Sequence, residues 1–577
     1  MKKNDIFDTK ITALTNEGEG IGHSDDGMAF FIKGALPGDV VRCGVTKVKR
    51  TYGYARLIEV LTPSKDRITP DCPIFGRCGG CVFRNYDYNA ELEFKQKLVR
   101  DAIERIGGFS DIEILPIEGF SDASRSAYRN KAEIPVKLMN DGSVAAGFYA
   151  GRTHSIIPLP ENDCLLQPKE FAIVTTAVLG WMNEKNIAPY DEVTGKGIIR
   201  HILIRKSFAT GEILLCLVIN SDSVPSLPDD NFESAGVSTL SINHNSKNTN
   251  VILGKKTEVI SGHGFITERL GKLSYRVSTP SFFQVNTIQA EKLYNFVKGF
   301  ASLEGNEKVW DLYCGTGTIG LFLSHYSPNI RLTGIEVVPS AIEDAKNNAV
   351  LNKAGNTVFL CGKAEEIVPK LLADNGAPDV VILDPPRKGC DTVCLDTVAK
   401  ASPKRIVYVS CNPATLARDM KYLKEIGGYE PVRVQPVDMF PGGGHVETVV
   451  QLSKGDINKG SSGRSDAVKA CEMGMISGYS KGKKVPETAN VKIDFSLENL
   501  DMSELRGKAT YEQIKDYVRE QTGFRVSSLY ISQVKRKCGL EVGESYNKPK
   551  SEDARQPQCT PEKEEAIMQA LRHYGMI

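Results

Sequence analysis

The sequence predicts a multidomain α/β protein. A small β-barrel and a cysteine-bearing central domain precede a doubly wound, Rossmann-like domain, and a small helical accessory unit closes the chain. Three observations carry that expectation. From Gly271 to Leu452, apolar strand-like runs alternate with helix-like segments, the pattern of a mostly parallel sheet. Within that stretch Gly315, Gly317 and Gly320 stand in G-x-G-x-x-G spacing directly after a strand-like run. Upstream, short strands punctuated by Gly and Pro give way to three cysteines crowded into ten residues. At 577 residues the chain is also too long for one core.

Composition narrows little else. The chain is 41% hydrophobic and 25% charged with a net charge of +1, so any basic surface for nucleic acid must be local. No charged segment followed by an apolar core opens it, and no apolar run approaches the roughly 18 to 20 residues of a membrane-spanning helix. A cytoplasmic protein is expected. In that compartment the 14 cysteines read as thiols, metal ligands or catalysts rather than disulfides.

Residues 10–61 carry ITALTNEGEGIG, MAFFIKGALPGDVVRCGVTKV and GYARLIEVL, which read as the strands of an oligonucleotide-binding type of barrel. Lys47, Lys49, Arg50 and Arg56, interleaved with Tyr52 and Tyr54, suit a basic stacking surface for RNA. CPIFGRCGGC then places Cys72, Cys78 and Cys81 at x5 and x2 spacing in a Gly-rich loop that lets the backbone wrap several thiolates around one centre. Cys164, in the turn-rich PLPENDCLLQP, is the best fourth ligand; zinc and an iron–sulfur cluster both satisfy such a set. Between them, Arg129, Lys131, Arg152 and His154, with Tyr128 and Tyr149, are candidates to clamp phosphates and stack bases. His201 in IIRHILIRK reads as a satisfied structural histidine on a strand.

In the Rossmann-like stretch, KVWDLYCGTGTIG sets Asp311 four residues before the first glycine. A carboxylate there suits a cationic amino-acid moiety better than a pyrophosphate, which favours S-adenosylmethionine (AdoMet), with its ammonium and sulfonium. Glu336 ends the next strand 25 positions after Asp311, where an acidic side chain binds ribose hydroxyls. PDVVILDPPRKGC ends a further strand at Asp384, and RIVYVSCNPATLARD sets Cys411 between a buried strand and a helix start. A lone cysteine is usually a packed small hydrophobe, but here it falls on the ligand-binding edge of the sheet. PVRVQPVDMFPGGGHVETVVQL supplies two closing strands. After a Gly/Ser/Lys-rich linker, residues 505–550 hold ten Lys and Arg against five Asp and Glu, in a helix-turn-helix-like unit suited to RNA or simply to solvent. Its first helix, YEQIKDYVREQTG, has Thr510 and Gln513 placed as a capping box.

GEGIG and GALPGD, CPIFGRCGGC, YRNK, SFFQVNT, DLYCGTGTIG, DPPRKG, SCNPATLARD and HVE, in that order, resemble the RNA uracil-5-methyltransferase family. The iron–sulfur 23S ribosomal RNA (uracil-5-)-methyltransferases are the nearest likeness, over roughly Lys10 to Leu452. The resemblance implies a TRAM domain at 1–62, a central RNA-binding domain with an iron–sulfur site at 63–270 and an AdoMet-dependent methyltransferase domain at 271–454. A linker at 455–490 and an accessory unit at 491–577 lie outside the family core. By the same resemblance Cys72, Cys78, Cys81 and Cys164 hold a [4Fe-4S] cluster, and Gln284, Tyr313, Glu336 and Asp384 contact AdoMet. Cys411 is the nucleophile and Glu447 the general base. RNA, foremost 23S rRNA, is the implied partner, with neither a membrane nor an obligate protein partner. Two positions depart from the family pattern: Arg84, where Gln is common, and Gly442-Gly443, where His-Thr is common.

That assignment has a chemical logic. Carbon-5 of uracil is too poor a nucleophile to take a methyl group directly; a thiolate adding at carbon-6 makes an enolate that can. A nearby helix start, which the segment after Pro413 could supply, or a positive group is expected to lower the Cys411 thiol pKa. A base must afterwards remove the carbon-5 proton, with His445 in a position to assist Glu447. Exocyclic-amine methyltransferases follow their Pro-Pro with an aromatic residue, where this chain has Arg387, and radical AdoMet enzymes space their cysteines x3 then x2. A noncatalytic RNA-binding or assembly factor would have no use for both Cys411 and Glu447.

Overall fold

The computed structural model describes residues 1–454 apart from 123, 152 and 224, and farther along residues 511–522, 524, 526–538, 559–573 and 576. The chain divides into two compact units, Met1–Gly460 and Ser461–Ile577. The expected linker, the capping residue Thr510 and Arg152 lie outside the described residues.

The first six strands are β1 (Ile6–Lys10), β2 (Ala13–Leu14), β3 (Glu19–His23), β4 (Ala29–Lys33), β5 (Val40–Val48) and β6 (Tyr52–Thr62). They form one sheet in the order β1-β5-β6-β4-β3-β2. It curls towards closure because Thr9 of β1 bridges to β3, its hydroxyl donating to the His23 carbonyl at 2.8 Å and accepting from the His23 amide at 3.0 Å. Phe7, Phe30, Ile32, Val41 and Cys43 fill the interior. Outside, the rings of Phe31, Tyr52 and Tyr54 cluster at 5.4–5.7 Å, and Lys47, Lys49, Arg50 and Arg56 are exposed. The expected basic, aromatic face is present.

Helix α1 (Tyr88–Asp101), capped by Asp87, leads to the two-residue β7 (Glu113–Ile114). The central sheet follows, with β8 (Lys131–Leu138), β9 (Val144–Tyr149), β10 (Ile156–Pro158), β11 (Ile199–Lys206), β12 (Ile213–Ile219), β13 (Thr239–His244) and β14 (Lys256–Ser261). Its order is β10-β9-β8-β11-β12-β13-β14, and helix α2 (Lys169–Glu184) buries Phe171, Val174, Val178 and Met182 in the same core. A ribbon of β15 (Phe265–Leu270) and β16 (Leu273–Ser278) leads into the last sheet.

That sheet is built from β17 (Lys308–Leu312), β18 (Arg331–Glu336), β19 (Thr357–Cys361), β20 (Val380–Leu383), β21 (Arg405–Ser410), β22 (Tyr429–Val437) and β23 (Glu447–Lys454), with β7 at its edge. The order is β19-β18-β17-β20-β21-β23-β22-β7, parallel except for β23. Its central strands read as unbroken apolar runs because both faces are covered. Val309, Ile382 and Val407 point into one core with α3 (Thr287–Ala301), α4 (Thr318–Tyr326) and α5 (Pro339–Leu351). Trp310, Val381, Ile406 and Tyr408 point into the other, with α6 (Ala364–Asn375), α7 (Thr392–Ala401) and α8 (Pro413–Gly427). Val99, Ile103 and Phe109 join this second core, so a segment well before Gly271 completes the sheet and its packing. The strand order reverses between β17 and β20, which opens a crevice at their carboxyl ends.

The second unit contains α9 (Tyr511–Thr522), α10 (Ser528–Lys537) and α11 (Pro561–His573), around a core of Ile514, Val518, Ile531, Val534, Ile567 and Leu571. The first two helices match expectation. α11 is additional to it, although Thr560-Pro561-Glu562 carries an N-terminal signal. No helix among the described residues is long and apolar enough to cross a membrane.

Candidate active site

The crevice is a cavity of about 740 Å³. Gln284, Tyr313, Glu336, Asp384, Cys411 and Glu447 all line it, as does Asp311. Chain geometry explains the convergence: Asp311 and Glu336 sit at the ends of β17 and β18, Asp384 follows β20 and Cys411 follows β21. Glu447 arrives from the opposite direction. Ser410 of β21 pairs with Thr448 of β23, so Cys411 and Glu447 are the next opposed positions across two adjacent strands.

The glycine turn is held by Asp311, whose Oδ2 accepts from the Gly320 amide at 2.9 Å. A Cβ on Gly320 would come within 2.8 Å of that same oxygen, so the contact requires glycine. Oδ1 of Asp311 is buried and has no hydrogen-bond partner among the described residues, an acceptor facing the cavity. Glu336 accepts from the Gly315 amide at 3.2 Å and from the Val337 and Val338 amides at 2.8 and 3.0 Å, which fixes its carboxylate at the strand end. Asn130 holds the Gln284 carbonyl at 2.8 Å. Tyr313 is left-handed, with φ 66°, a strained conformation that turns the chain into the cavity.

Burial lifts the cavity's acids. Asp311 and Asp384 are pushed up to about 7, in Asp311 with a further push from the charge of Asp384. Glu447 is pushed up to about 8 by burial and then by Asp384, while Arg387 pulls it down. A cation entering here would offset that burial and draw all three back towards the ionised form. The Cys411 thiol corrects the sequence expectation: it is pushed up to about 11, not lowered. Burial is the first cause and the Glu447 charge the second; Arg387 is the group that lowers it. Asn412, not Cys411, caps α8, so the thiol stands one residue outside the helix start.

Comparison with known proteins gives these residues a context. A family profile described as tRNA (uracil-5-)-methyltransferase matches residues 229–455, and a TRAM domain profile matches residues 2–58. An uncharacterised RNA methyltransferase of Clostridium acetobutylicum is 43% identical over 462 residues, which are 79% of this chain and 98% of that protein. The chain belongs to the RNA uracil-5-methyltransferase family. A second relative, an uncharacterised RNA methyltransferase of Halalkalibacterium halodurans, is 42% identical over 78% of this chain and 98% of its own length. Among solved structures, the tRNA (uracil-54, C5)-methyltransferase of Pyrococcus abyssi in complex with S-adenosyl-L-homocysteine has a TM-score of 0.62 at 26% identity, over 77% of this chain and 99% of that one.

As an AdoMet-dependent RNA methyltransferase of this family, the protein has two groups at the cavity that sequence reasoning does not assign. In the sequence Arg387 stands out only as the absence of an aromatic residue after Pro-Pro; in the structure it is the cation nearest in effect to the thiol. Phe282 is 64% exposed at the cavity lip, an apolar surface open to an unstacked base. Its signal is the doubled Phe of SFFQVNT.

Cys72, Cys78, Cys81 and Cys164 line a separate cavity of about 320 Å³. Among the described residues no three His, Cys, Asp or Glu side chains are gathered as one metal-ion site. Burial pushes the Cys81 thiol up to about 12 and that of Cys164 to about 11, so a positive centre would be needed to hold them as thiolates. Arg129 and Lys131 border this cavity. Tyr128, expected to stack on RNA, is instead 3% exposed, with its hydroxyl donating to the Pro441 carbonyl at 3.0 Å. Arg84 is likewise internal, paired with Asp71 and donating to the Arg125 carbonyl at 2.9 Å. Tyr149 and His154 both engage Glu192, at 3.0 and 2.8 Å. His201 is buried on β11 as expected, but its Nδ1 finds no partner among the described residues.

Proposed function

We propose that the protein methylates carbon-5 of a uridine in RNA, foremost in 23S rRNA, through a covalent Cys411–uracil adduct resolved by Glu447. The observation that carries this reading is that Cys411, directly after β21, and Glu447, the first residue of its antiparallel neighbour β23, line the same cavity as Asp311, Glu336 and Asp384. AdoMet, when bound, supplies the electrophilic methyl group. Gln284, Tyr313, Glu336 and Asp384 would hold it, with the free Oδ1 of Asp311 facing its positive end. The Cys411 thiol gives its proton to solvent, the nearby Arg387 charge favouring the thiolate, and its sulfur bonds to carbon-6; the displaced π electrons form an enolate whose carbon-5 takes the methyl group. Glu447, whose raised pKa makes it a stronger base once ionised, then takes the carbon-5 proton, and the thiolate leaves. The target base must come from unpaired or unstacked RNA, and the exposed Phe282 offers it a stacking surface.

The test is incubation of the purified protein with methyl-labelled AdoMet and either protein-free 23S rRNA or bulk tRNA, followed by nucleoside analysis. Label in 5-methyluridine of 23S rRNA is the expected result. Label only in tRNA would move the protein to the second reading, tRNA uracil-5-methylation, which likeness to the Pyrococcus tRNA (uracil-54, C5)-methyltransferase favours. Label in any nucleoside other than 5-methyluridine would sink both.

Cys72, Cys78, Cys81 and Cys164 would hold a [4Fe-4S] cluster, which supplies a cross-link between the cysteine loop and the segment at Cys164. The gathering of four cysteines around one cavity supports a shared metal centre there. A zinc ion would instead draw all four sulfurs to about 2.3 Å from one point. Protein purified without oxygen is expected to absorb in the visible and to contain iron and acid-labile sulfide; stoichiometric zinc without iron would replace the cluster assignment.

A further inference from the structure

Residues 438–446 connect β22 to β23, and Val437 is the register partner of Glu447 at the neck of this hairpin. The loop brings Phe440 and His445 to the cavity and sets the base at its exit. Its own sequence offers little rigidity, since Gly442, Gly443 and Gly444 follow one another and Gly442 sits at φ 79°. Yet each of its first five carbonyls has a partner from another part of the chain. Gln289 donates to Asp438 at 3.0 Å, Asn286 to Met439 at 3.2 Å, Lys95 to Phe440 at 3.2 Å and Tyr128 to Pro441 at 3.0 Å. The Val82 and Phe83 amides, directly after Cys81, both donate to Gly442, at 2.8 and 3.0 Å.

At the centre of this clamp is Lys95 on α1, whose side chain is fully buried. Its ammonium donates to Glu91 Oε1 at 2.7 Å, to Asp438 Oδ1 at 2.7 Å and to the Phe440 carbonyl, so all three of its hydrogens are directed. Glu91 also accepts from the Gly442 amide at 2.8 Å and from Arg125 at 2.7 Å, and Tyr88 donates to Asp438 Oδ2 at 2.9 Å. Buried ion pairs are weak contributors to stability compared with apolar packing of the same volume, but they fix direction. Four of these contacts reach the base-bearing loop: Lys95 to Asp438 and to Phe440, the Gly442 amide to Glu91, and Tyr88 to Asp438.

We propose that Glu91 and Lys95 are positioning residues for proton removal: by fixing Asp438, Phe440 and Gly442 they set Glu447 against carbon-5 without touching RNA. This rests on reading Glu447 as the base. The test is a single-turnover measurement with RNA carrying tritium on carbon-5. It follows the denaturation-resistant protein–RNA adduct, tritium release and AdoMet affinity in Lys95→Met, Tyr88→Phe, Lys97→Met and Glu447→Gln. Lys97 lies on the same helix but is 65% exposed and serves as the control.

In Lys95→Met, tritium release is expected to slow about 10- to 100-fold, the scale of a misplacement near 1 Å, while adduct formation and AdoMet affinity stay at wild-type values. Adduct therefore accumulates. Tyr88→Phe, which leaves no charge unpaired, should show a smaller shift of the same kind, and Lys97→Met none. A parallel fall in adduct formation, AdoMet affinity and tritium release would overturn the proposal, because a merely structural role moves all three. If Lys95→Met does not fold, Tyr88→Phe decides by the same criterion. Adduct accumulation in Glu447→Gln without any in Lys95→Met or Tyr88→Phe overturns the positioning role alone. No accumulation in Glu447→Gln overturns the base assignment and the positioning role with it.

Discussion

Cys411→Ala is expected to lower methyl transfer to carbon-5 by on the order of 10⁴-fold or more, to background, because no second group can take over addition at carbon-6. AdoMet binding should persist, since Gln284, Asp311, Glu336 and Asp384 reach the cavity from other segments of the chain. The thiol is only partly buried, so its loss should change stability by about 1 kcal/mol or less. Equilibrium dialysis with AdoMet beside a methylation assay checks both halves, and methylation at an undiminished rate would sink the covalent mechanism. Ser would be a poor replacement for the same reason: a hydroxyl in this half-buried place, beside Glu447, has no route to an alkoxide.

Glu447→Gln should have the opposite signature, a stalled adduct rather than none. The Glu447 charge is one of the causes that push the Cys411 thiol up, and Arg387 is the cause that pulls it down. Removing the carboxylate leaves Arg387 less opposed, so thiolate formation becomes easier while the carbon-5 proton loses its acceptor. Turnover is expected to fall about 10²- to 10⁴-fold, with protein–RNA adduct surviving denaturing electrophoresis in near-stoichiometric amount. Absence of any denaturation-resistant complex would count against Glu447 as the base.

Much of the methyltransferase sheet is legible in the sequence because buried parallel strands announce themselves. VVIL and the IVYV within RIVYVS are unbroken apolar runs, and Asp384 and Cys411, each directly after its strand, line the crevice. What cannot be read depends on pairings far apart in the chain. The opposition of Cys411 and Glu447 follows from the antiparallel register of β21 and β23, which no local pattern encodes. Glu91 and Lys95 stand at i and i+4 and read as an ordinary exposed helix pair; they are buried because Asp438, 343 positions from Lys95, comes to meet them. Tyr128 reads as a stacking aromatic beside a basic residue, but its hydroxyl is taken by the Pro441 carbonyl. The thiol's electrostatics differ from expectation because burial and the two acids of the cavity outweigh a helix start one residue away.

The clamp on residues 438–446 also ties an early stretch of the first unit to a late one. Helix α1 carries Glu91 and Lys95 from early in the chain, but their partners Asp438 and Gly442 come from one of the last hairpins of the first unit to be made. A chain without that hairpin would leave Lys95 without Asp438 and Glu91 without the Gly442 amide, so α1 is expected to dock less firmly in it. A nascent or truncated chain ending before β23 therefore lacks both the base and the contacts that would seat it. The cavity acids Asp311, Glu336 and Asp384 all precede β23 in the chain, so such a fragment would keep that side of the cavity and lose the side that carries Glu447.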